Sequence, residues 1–266
     1  MFDNVIVGFL EILFVGCVFI FVEKFRPVAT STTDIKHEKL QEFILSLFNL
    51  VFSTYIILYI LDLWLEYVLT PYFWHHVSDS FVQVLPFFIQ VFLGALILDL
   101  SKYWQHRMSH RYMWKFHAIH HSAKELTWIT GLRLHPVEIV VASIFDTTFL
   151  FILGFSGNSI VIAILLLRIL NFVIHANLNL KYDKPLRYIL ASPHYHRWHH
   201  ANQKSAYDKN FAGAFPFWDM LFGTYYHPEE LPKAYGLSSN ETKFYPKYAT
   251  GWLLYPFKKL KKKDGI

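Results

Sequence analysis

Apolar runs of about bilayer length constrain this chain more than any other feature. A helix crossing the hydrocarbon core of a membrane needs roughly 20 apolar residues. Such runs occur at Val5–Phe25, with Glu11 inside it, and at Phe43–Leu69, Phe81–Trp104, Val137–Phe155 and Ile160–Ile174. The third carries Pro86 near its start and Asp99 near its end. The last two are separated by SGNS, a short polar turn that predicts a helical hairpin. The first lacks a basic leading segment and a small-residue cleavage site, so it reads as a span and not as a signal peptide. The sequence is 54% hydrophobic and 17% charged. Soluble domains sit nearer about 45–50% apolar, so composition also points to a membrane protein.

Charge sets the orientation. Lys24, Arg26, Lys36 and Lys39 crowd 24–39, the stretch 70–80 has no Lys or Arg, and Lys102, Arg107, Arg111 and Lys115 follow the third run. By the positive-inside rule 24–39, 102–133 and 181–266 are cytoplasmic. Five spans result, or four if the first run inserts only half-way. The net charge of +5 and the KKLKKK stretch at 258–263 belong to a membrane margin. They form no separate basic face, so nucleic acid is not an expected partner. Cys17 is the single cysteine. It excludes an intrachain disulfide and zinc sites that need two or four thiolates.

Two of these cytoplasmic regions gather histidine. HRMSHRYMWKFHAIHH spans 106–121, and HYHRWHH spans 194–200. His106 and His110 are four apart, as are His117 and His121, with His120 three on from His117. His196, His199 and His200 repeat that second spacing. Residues three or four apart share a helix face, so each group can aim two or three imidazoles at one point. Imidazole suits iron, zinc, copper and nickel. Eight such residues exceed what one tetrahedral zinc needs and fit two metals. His37, His75, His76 and His227 stand alone and read as ordinary hydrogen-bonded histidines.

HRMSH, HAIHH and HRWHH, in that order, resemble the three histidine boxes of the fatty acid hydroxylase/sterol desaturase superfamily. The resemblance covers about 80–225 and includes SPHYHRWHH and the later NFAGAFPFWDMLFGTYY. HHSAKELTWITGLRLHPVE is most similar to the bacterial-type sterol desaturase branch. The resemblance implies an all-α integral membrane protein with four or five transmembrane helices and a cytoplasmic helical cap holding a di-metal site. It divides the chain into N-terminal membrane helices and loops (1–79), a catalytic domain with a transmembrane hairpin (80–230) and a basic cytoplasmic tail (231–266).

Carried over by position, the implied ligands are His106, His110, His117, His120, His121, His196, His199 and His200. His175, in HANLN, matches a further family histidine. Asn179 stands where many relatives have another; continued helix from His175 would turn it towards the same metal. Asp99 lies two turns before His106 and is expected to accept an N–H from a ligand imidazole. His194 is expected beside the metals but outside the ligand set, and His135, just before Pro136, is expected either beside the metals or facing substrate, and not as a ligand.

The implied cofactors are two iron ions, with O2 as co-substrate. The implied activity is hydroxylation or desaturation of an unactivated C–H site in a lipid: a sterol, a fatty acyl chain or a related molecule. No dinucleotide fingerprint, P-loop or nucleophile elbow is present. Electrons are therefore expected from a separate ferredoxin- or cytochrome b5-like carrier with its reductase. The expected location is a bacterial inner membrane or an endoplasmic reticulum, with the site on the cytoplasmic side. Two other classes fit the ligands less well. A zinc-dependent lipid hydrolase needs a general base beside an open metal position, and Glu125, Glu138 and Asp219 lie outside every box. A non-enzymatic membrane metal- or haem-binding protein would place its ligands within the spans.

Overall fold

In the computed structural model, residues 14–25, 27–28, 36–52, 58–71, 80–243 and 245–258 are described. The first half of the first apolar run, the stretch containing His75 and His76, and the lysines at 259–263 lie outside them. Among the described residues the regular structure is helical, apart from one isolated bridge between Ala201 and Tyr235. After a helical stretch at 14–22 the helices are α1 (Lys36–Phe52), α2 (Leu58–Trp64), α3 (Phe87–Tyr112), α4 (Trp114–His121), α5 (Pro136–Ile152), α6 (Gly157–His175), α7 (Pro193–His199), α8 (Phe217–Leu221), α9 (Ser239–Thr242) and α10 (Ala249–Leu254). A π-helical turn, Leu65–Leu69, continues α2.

α3 is the central element. The third apolar run does not start as α-helix: Phe81–Val84 is a short 3-10 helix, and α3 begins after Pro86, whose missing N–H and fixed φ suit a helix start. α3 then runs past the apolar segment to Tyr112, carrying the first histidine box rigidly on its last two turns. Both α5 and α6 pack on α3, with Leu98, Leu150, Ala163 and Leu167 in the shared core. Small residues make the α3–α6 crossing close. A Cβ on Gly94 would already lie 3.5 Å from the Ala163 methyl. The pair expected as a hairpin leans on α3 on both sides. α5 and α6 are joined by a tight turn, with Gly154 at φ 75° and Ser156 capping α6, but each makes its main contacts with α3 and not with the other.

α3 and α6 are long and apolar enough to cross a membrane. The 18-residue apolar window of α6 has a mean hydropathy of 2.1, yet only 28% of it is buried within the protein. A soluble core helix of that character would be mostly hidden. Val161, Leu166 and Ile169 on α6, with Phe88 and Phe92 on α3 and Phe149 on α5, instead form an exposed apolar band. Such a surface is stable only against another apolar phase, which supports membrane association.

The C-terminal segment is not a free tail over its described length. Trp252 of α10 is buried against Leu45 and Ile119, and the Ala249 N–H donates to Gln41 Oε1 at 2.9 Å. The Arg133 guanidinium lies 4.0 Å from the Trp252 ring centroid. Apolar residues in 249–257 draw this stretch onto α1 and α4.

Candidate metal centre

Nine histidines converge at the C-terminal ends of α3 and α6. His106, His110, His117, His121 and His199 form one group; His120, His175, His196 and His200 form the second. Within each group one ring nitrogen per residue lies within 4.8 Å of all the others. All nine are the residues expected from sequence and resemblance. Their division follows helix faces. His117 and His121, four apart on α4, stay together, and His120 points to the other group. On α7 and its cap, His196 and His200 stay together, and His199 crosses to the first group. The two groups share a wall, with His121 and His200 ring centroids 4.6 Å apart.

Local sequence sets each element. Met113, at φ −123° and ψ 25°, ends α3 and turns the chain so that α4 folds back with its histidines facing box one. Ser192 caps α7 by accepting the Tyr195 N–H, and Pro193 occupies its first turn. Two buried arginines brace the second and third boxes. Arg133 donates to the Ile119 carbonyl at 2.9 Å and to Ser122 Oγ at 2.6 Å, with Glu38 at 3.4 Å. Arg197 donates to the Ala176 carbonyl at 3.0 Å. Gly131 lets the turn at 128–132 lie directly on α6, because a Cβ there would meet Asn171 Nδ2 at 2.5 Å and His175 Nδ1 at 3.2 Å.

The ring orientations are fixed from behind. Nδ1 of His106 donates to the Phe211 carbonyl at 2.8 Å, and Nδ1 of His199 to the Lys209 carbonyl at 2.8 Å. Nδ1 of His175 donates to the Asn171 carbonyl at 2.7 Å, and Nδ1 of His117 to Glu138 Oε1 at 2.7 Å. His110 Nδ1 faces Asp208 Oδ1 at 3.2 Å. An imidazole whose proton sits on Nδ1 presents a bare lone pair at Nε2. The Nε2 atoms of His106 and His117 nevertheless lie 3.1 Å apart, and that of His199 is buried without a hydrogen-bond partner. Inward lone pairs at this spacing repel unless a Lewis acid lies between them. Two nitrogens at 90° around one ion, each at about 2.1 Å, would be about 3.0 Å apart. The donor set therefore fits a metal, and nitrogen donors of this kind suit iron or zinc.

Burial, with crowding by neighbouring imidazoles, holds His117, His120, His121, His196, His199 and His200 well below their ordinary value of 6.5. They are neutral at neutral pH, the form that binds metal.

The outer residues differ from expectation. Asp99 does not meet a ligand imidazole: its carboxylate accepts the N–H groups of Ala214 and Phe215 at 2.8 and 2.9 Å. It lies on the α3 face turned to that loop, and two main-chain donors satisfy a buried carboxylate better than one ring. His135 caps α5 by accepting the Val137 N–H, and its Nε2 faces the Leu253 carbonyl. His194 Nε2 donates to the Pro228 carbonyl at 2.8 Å, away from both groups. Asn179 is exposed, because α6 stops at His175 and Ala176 turns extended at ψ 146°. Arg197 and Glu23 hold that exit, the latter accepting the Asn177 N–H at 2.8 Å.

Sequence reasoning passed over Glu138 and Asp208 as partners of ring nitrogens. Glu138 was weighed only as a possible general base, and Asp208 gave no periodic signal. Asp219, weighed as a possible general base, instead holds a loop together. It accepts from Phe211 N, Ala212 N, Thr224 Oγ1 and the Tyr195 hydroxyl. A cleft of about 230 Å³ reaches the groups between the 207–208 loop and 236–241, with His110, His121, His199, His200 and Trp114 in its lining.

The model of the fatty acid hydroxylase family matches residues 91–224, just over half of the 266. The chain belongs to the fatty acid hydroxylase family. It is 29% identical over 145 residues to the ornithine lipid hydroxylase OlsE of Rhizobium tropici, covering 54% of this chain and 44% of that protein. It is 34% identical over 157 residues to human alkylglycerol monooxygenase, covering 58% and 34%. Methylsterol monooxygenase 1 of Gallus gallus is 27% identical over 168 residues, covering 60% and 52%. The chain thus spans about a third to a half of the length of these curated relatives. No solved structure matches it.

Proposed function

We propose that this protein is a membrane-bound, non-haem di-iron oxygenase that hydroxylates an unactivated C–H site of a lipid. The observation that carries the reading is the 3.1 Å approach of the His106 and His117 Nε2 atoms, with both Nδ1 atoms facing oxygens, within two adjacent groups of imidazoles. His106, His110, His117, His121 and His199 would hold one iron, and His120, His175, His196 and His200 the other. Bound iron supplies the activation of O2 and the abstraction of hydrogen from carbon. The chain's own residues hold the rings in place through Nδ1, brace the boxes with Arg133 and Arg197, and bury the histidines away from bulk water. Hydroxylation is preferred over desaturation because the relatives are named as hydroxylases and monooxygenases. The apolar band on α3, α5 and α6 supports delivery of the lipid from the bilayer. Basic residues beside the boxes support a cytoplasmic site. Electrons would come from a separate ferredoxin- or cytochrome b5-like carrier with its reductase.

The test is lipid mass spectrometry of a host with and without the protein, under isotopically labelled O2. A lipid that gains one labelled oxygen supports the reading. Loss of two hydrogens would make the reaction a desaturation, and an unchanged lipid profile in cells holding the iron-loaded protein would overturn it.

A further inference from the structure

The two histidine groups differ in what stands behind them. In the five-histidine group two rings are backed by carboxylates, His117 by Glu138 at 2.7 Å and His110 by Asp208 at 3.2 Å. In the four-histidine group none is. His175 has a main-chain carbonyl, and Nδ1 of His120, His196 and His200 is buried with no hydrogen-bond partner. A carboxylate that accepts the outer N–H of a ligand imidazole fixes the ring and makes its inner nitrogen a stronger donor.

Glu138 is placed for this role. It is 9% exposed and sits in the first turn of α5, where the positive end of the helix dipole offsets part of the cost of burying a carboxylate. His135 caps that same turn by accepting the Val137 N–H. The Asp208 side chain is 76% exposed, and solvent screening makes its contribution the smaller of the two.

We propose that Glu138, helped by Asp208, is a positioning residue that makes the five-histidine group the tighter and more electron-rich of two inequivalent metal sites. The proposal rests on the di-metal reading above. It follows that the four-histidine site, with one imidazole fewer and no carboxylate behind it, releases its metal first. An oxidised ion is correspondingly favoured at the five-histidine site.

The experiment uses the full chain, purified in detergent and loaded with iron, challenged with a chelator and followed by metal analysis and Mössbauer spectroscopy. The parent should release its two metals in two phases. His106→Ala should remove the slow phase, and His196→Ala the fast one, which assigns them. Glu138→Gln keeps size and shape but not charge. It should speed the slow phase about 10–100-fold, leave the fast phase alone, and shift one of two iron signals. Asp208→Asn should do the same more weakly. The metal-free Glu138→Gln protein should melt with the metal-free parent. Unchanged release, equal acceleration of both phases, or a fall in metal-free melting temperature would each overturn the proposal. A parent that binds fewer than two metals would overturn the di-metal reading instead, before any variant is compared.

Discussion

His106 and His117 meet with their Nε2 atoms 3.1 Å apart, while both Nδ1 atoms are already committed, one to the Phe211 carbonyl and one to Glu138. Neither inward nitrogen then carries a proton to share. This relationship between two helices, α3 and α4, is one that a cation between the rings would relieve, and it supports the metal reading over that of ordinary buried histidines.

Losing one imidazole from either group should abolish turnover. His199→Ala takes a ligand from the five-histidine group and His120→Ala one from the four-histidine group. Each variant should lose all measurable lipid oxidation and about one metal per chain. His135→Asn, which keeps a capping side chain on α5, should retain both metals and near-parental activity. Metal analysis beside product quantification checks all three. Full activity in either Ala variant contradicts the assignment.

Asn179 offers a contrary expectation. It is exposed beyond the end of α6. Asn179→His and Asn179→Ala should therefore both leave metal content and turnover within about twofold of the parent, as surface substitutions usually do. A slow Asn179→His variant would mean that the exit from α6 rearranges to bring residue 179 to the metals.

Gly131 should tolerate no side chain. Gly131→Ala puts a methyl 2.5 Å from Asn171 Nδ2 and 3.2 Å from His175 Nδ1. Overpacking of this kind typically costs about 1–3 kcal/mol. The strain falls on His175, so metal should be lost mainly from the four-histidine group. Melting temperature in detergent and metal stoichiometry report the two effects separately.

Asp219→Asn should destabilise the loop behind the five-histidine group. Asp219 accepts two main-chain amides at 2.8 Å and Thr224 Oγ1 at 2.7 Å, besides the Tyr195 hydroxyl. Replacing one carboxylate oxygen by an NH2 group sets donor against donor. Hydrogen bonds to charged groups are worth about 1.5–3 kcal/mol each, so the loss should be at least that large. Because the Phe211 carbonyl orients His106, thermal unfolding should shift together with metal affinity. A variant that melts like the parent would remove Asp219 from this account.

Acid should strip the centre. Burial holds His120, His121, His196, His199 and His200 well below 6.5 in the folded protein, whereas in the unfolded chain they titrate near 6.5. Below about 6.5 the unfolded chain binds more protons than the folded one, so stability falls as pH falls through that window. Protons also compete directly with metal for the same nitrogens. Stability of the metal-free protein, followed by thermal unfolding, should be flat above about pH 7 and drop progressively beneath it. A flat profile down to pH 5 would contradict the burial argument.

The gathering of the histidines was legible in spacing. Histidines three and four residues apart beside apolar runs, with His175 supplied by the resemblance, singled out the nine residues that the fold gathers, because helix periodicity is local and one type of side chain carries the signal. Which histidine joins which group was not legible. His120 parts from its neighbours His117 and His121, and His199 from His196 and His200, and that division depends on how α4 and α7 are turned against α3 and α6. The partners of the rings were hidden for the same reason. Asp99, two turns from His106 in sequence, binds a distant loop, whereas Glu138, 21 residues from His117, meets it at 2.7 Å. The end of α6 was misjudged because Asn179 looks helical by spacing, while Arg197 and Glu23, far away in the chain, hold the backbone extended after Ala176. Periodicity fixes what one helix can present; only packing between helices fixes what that face meets.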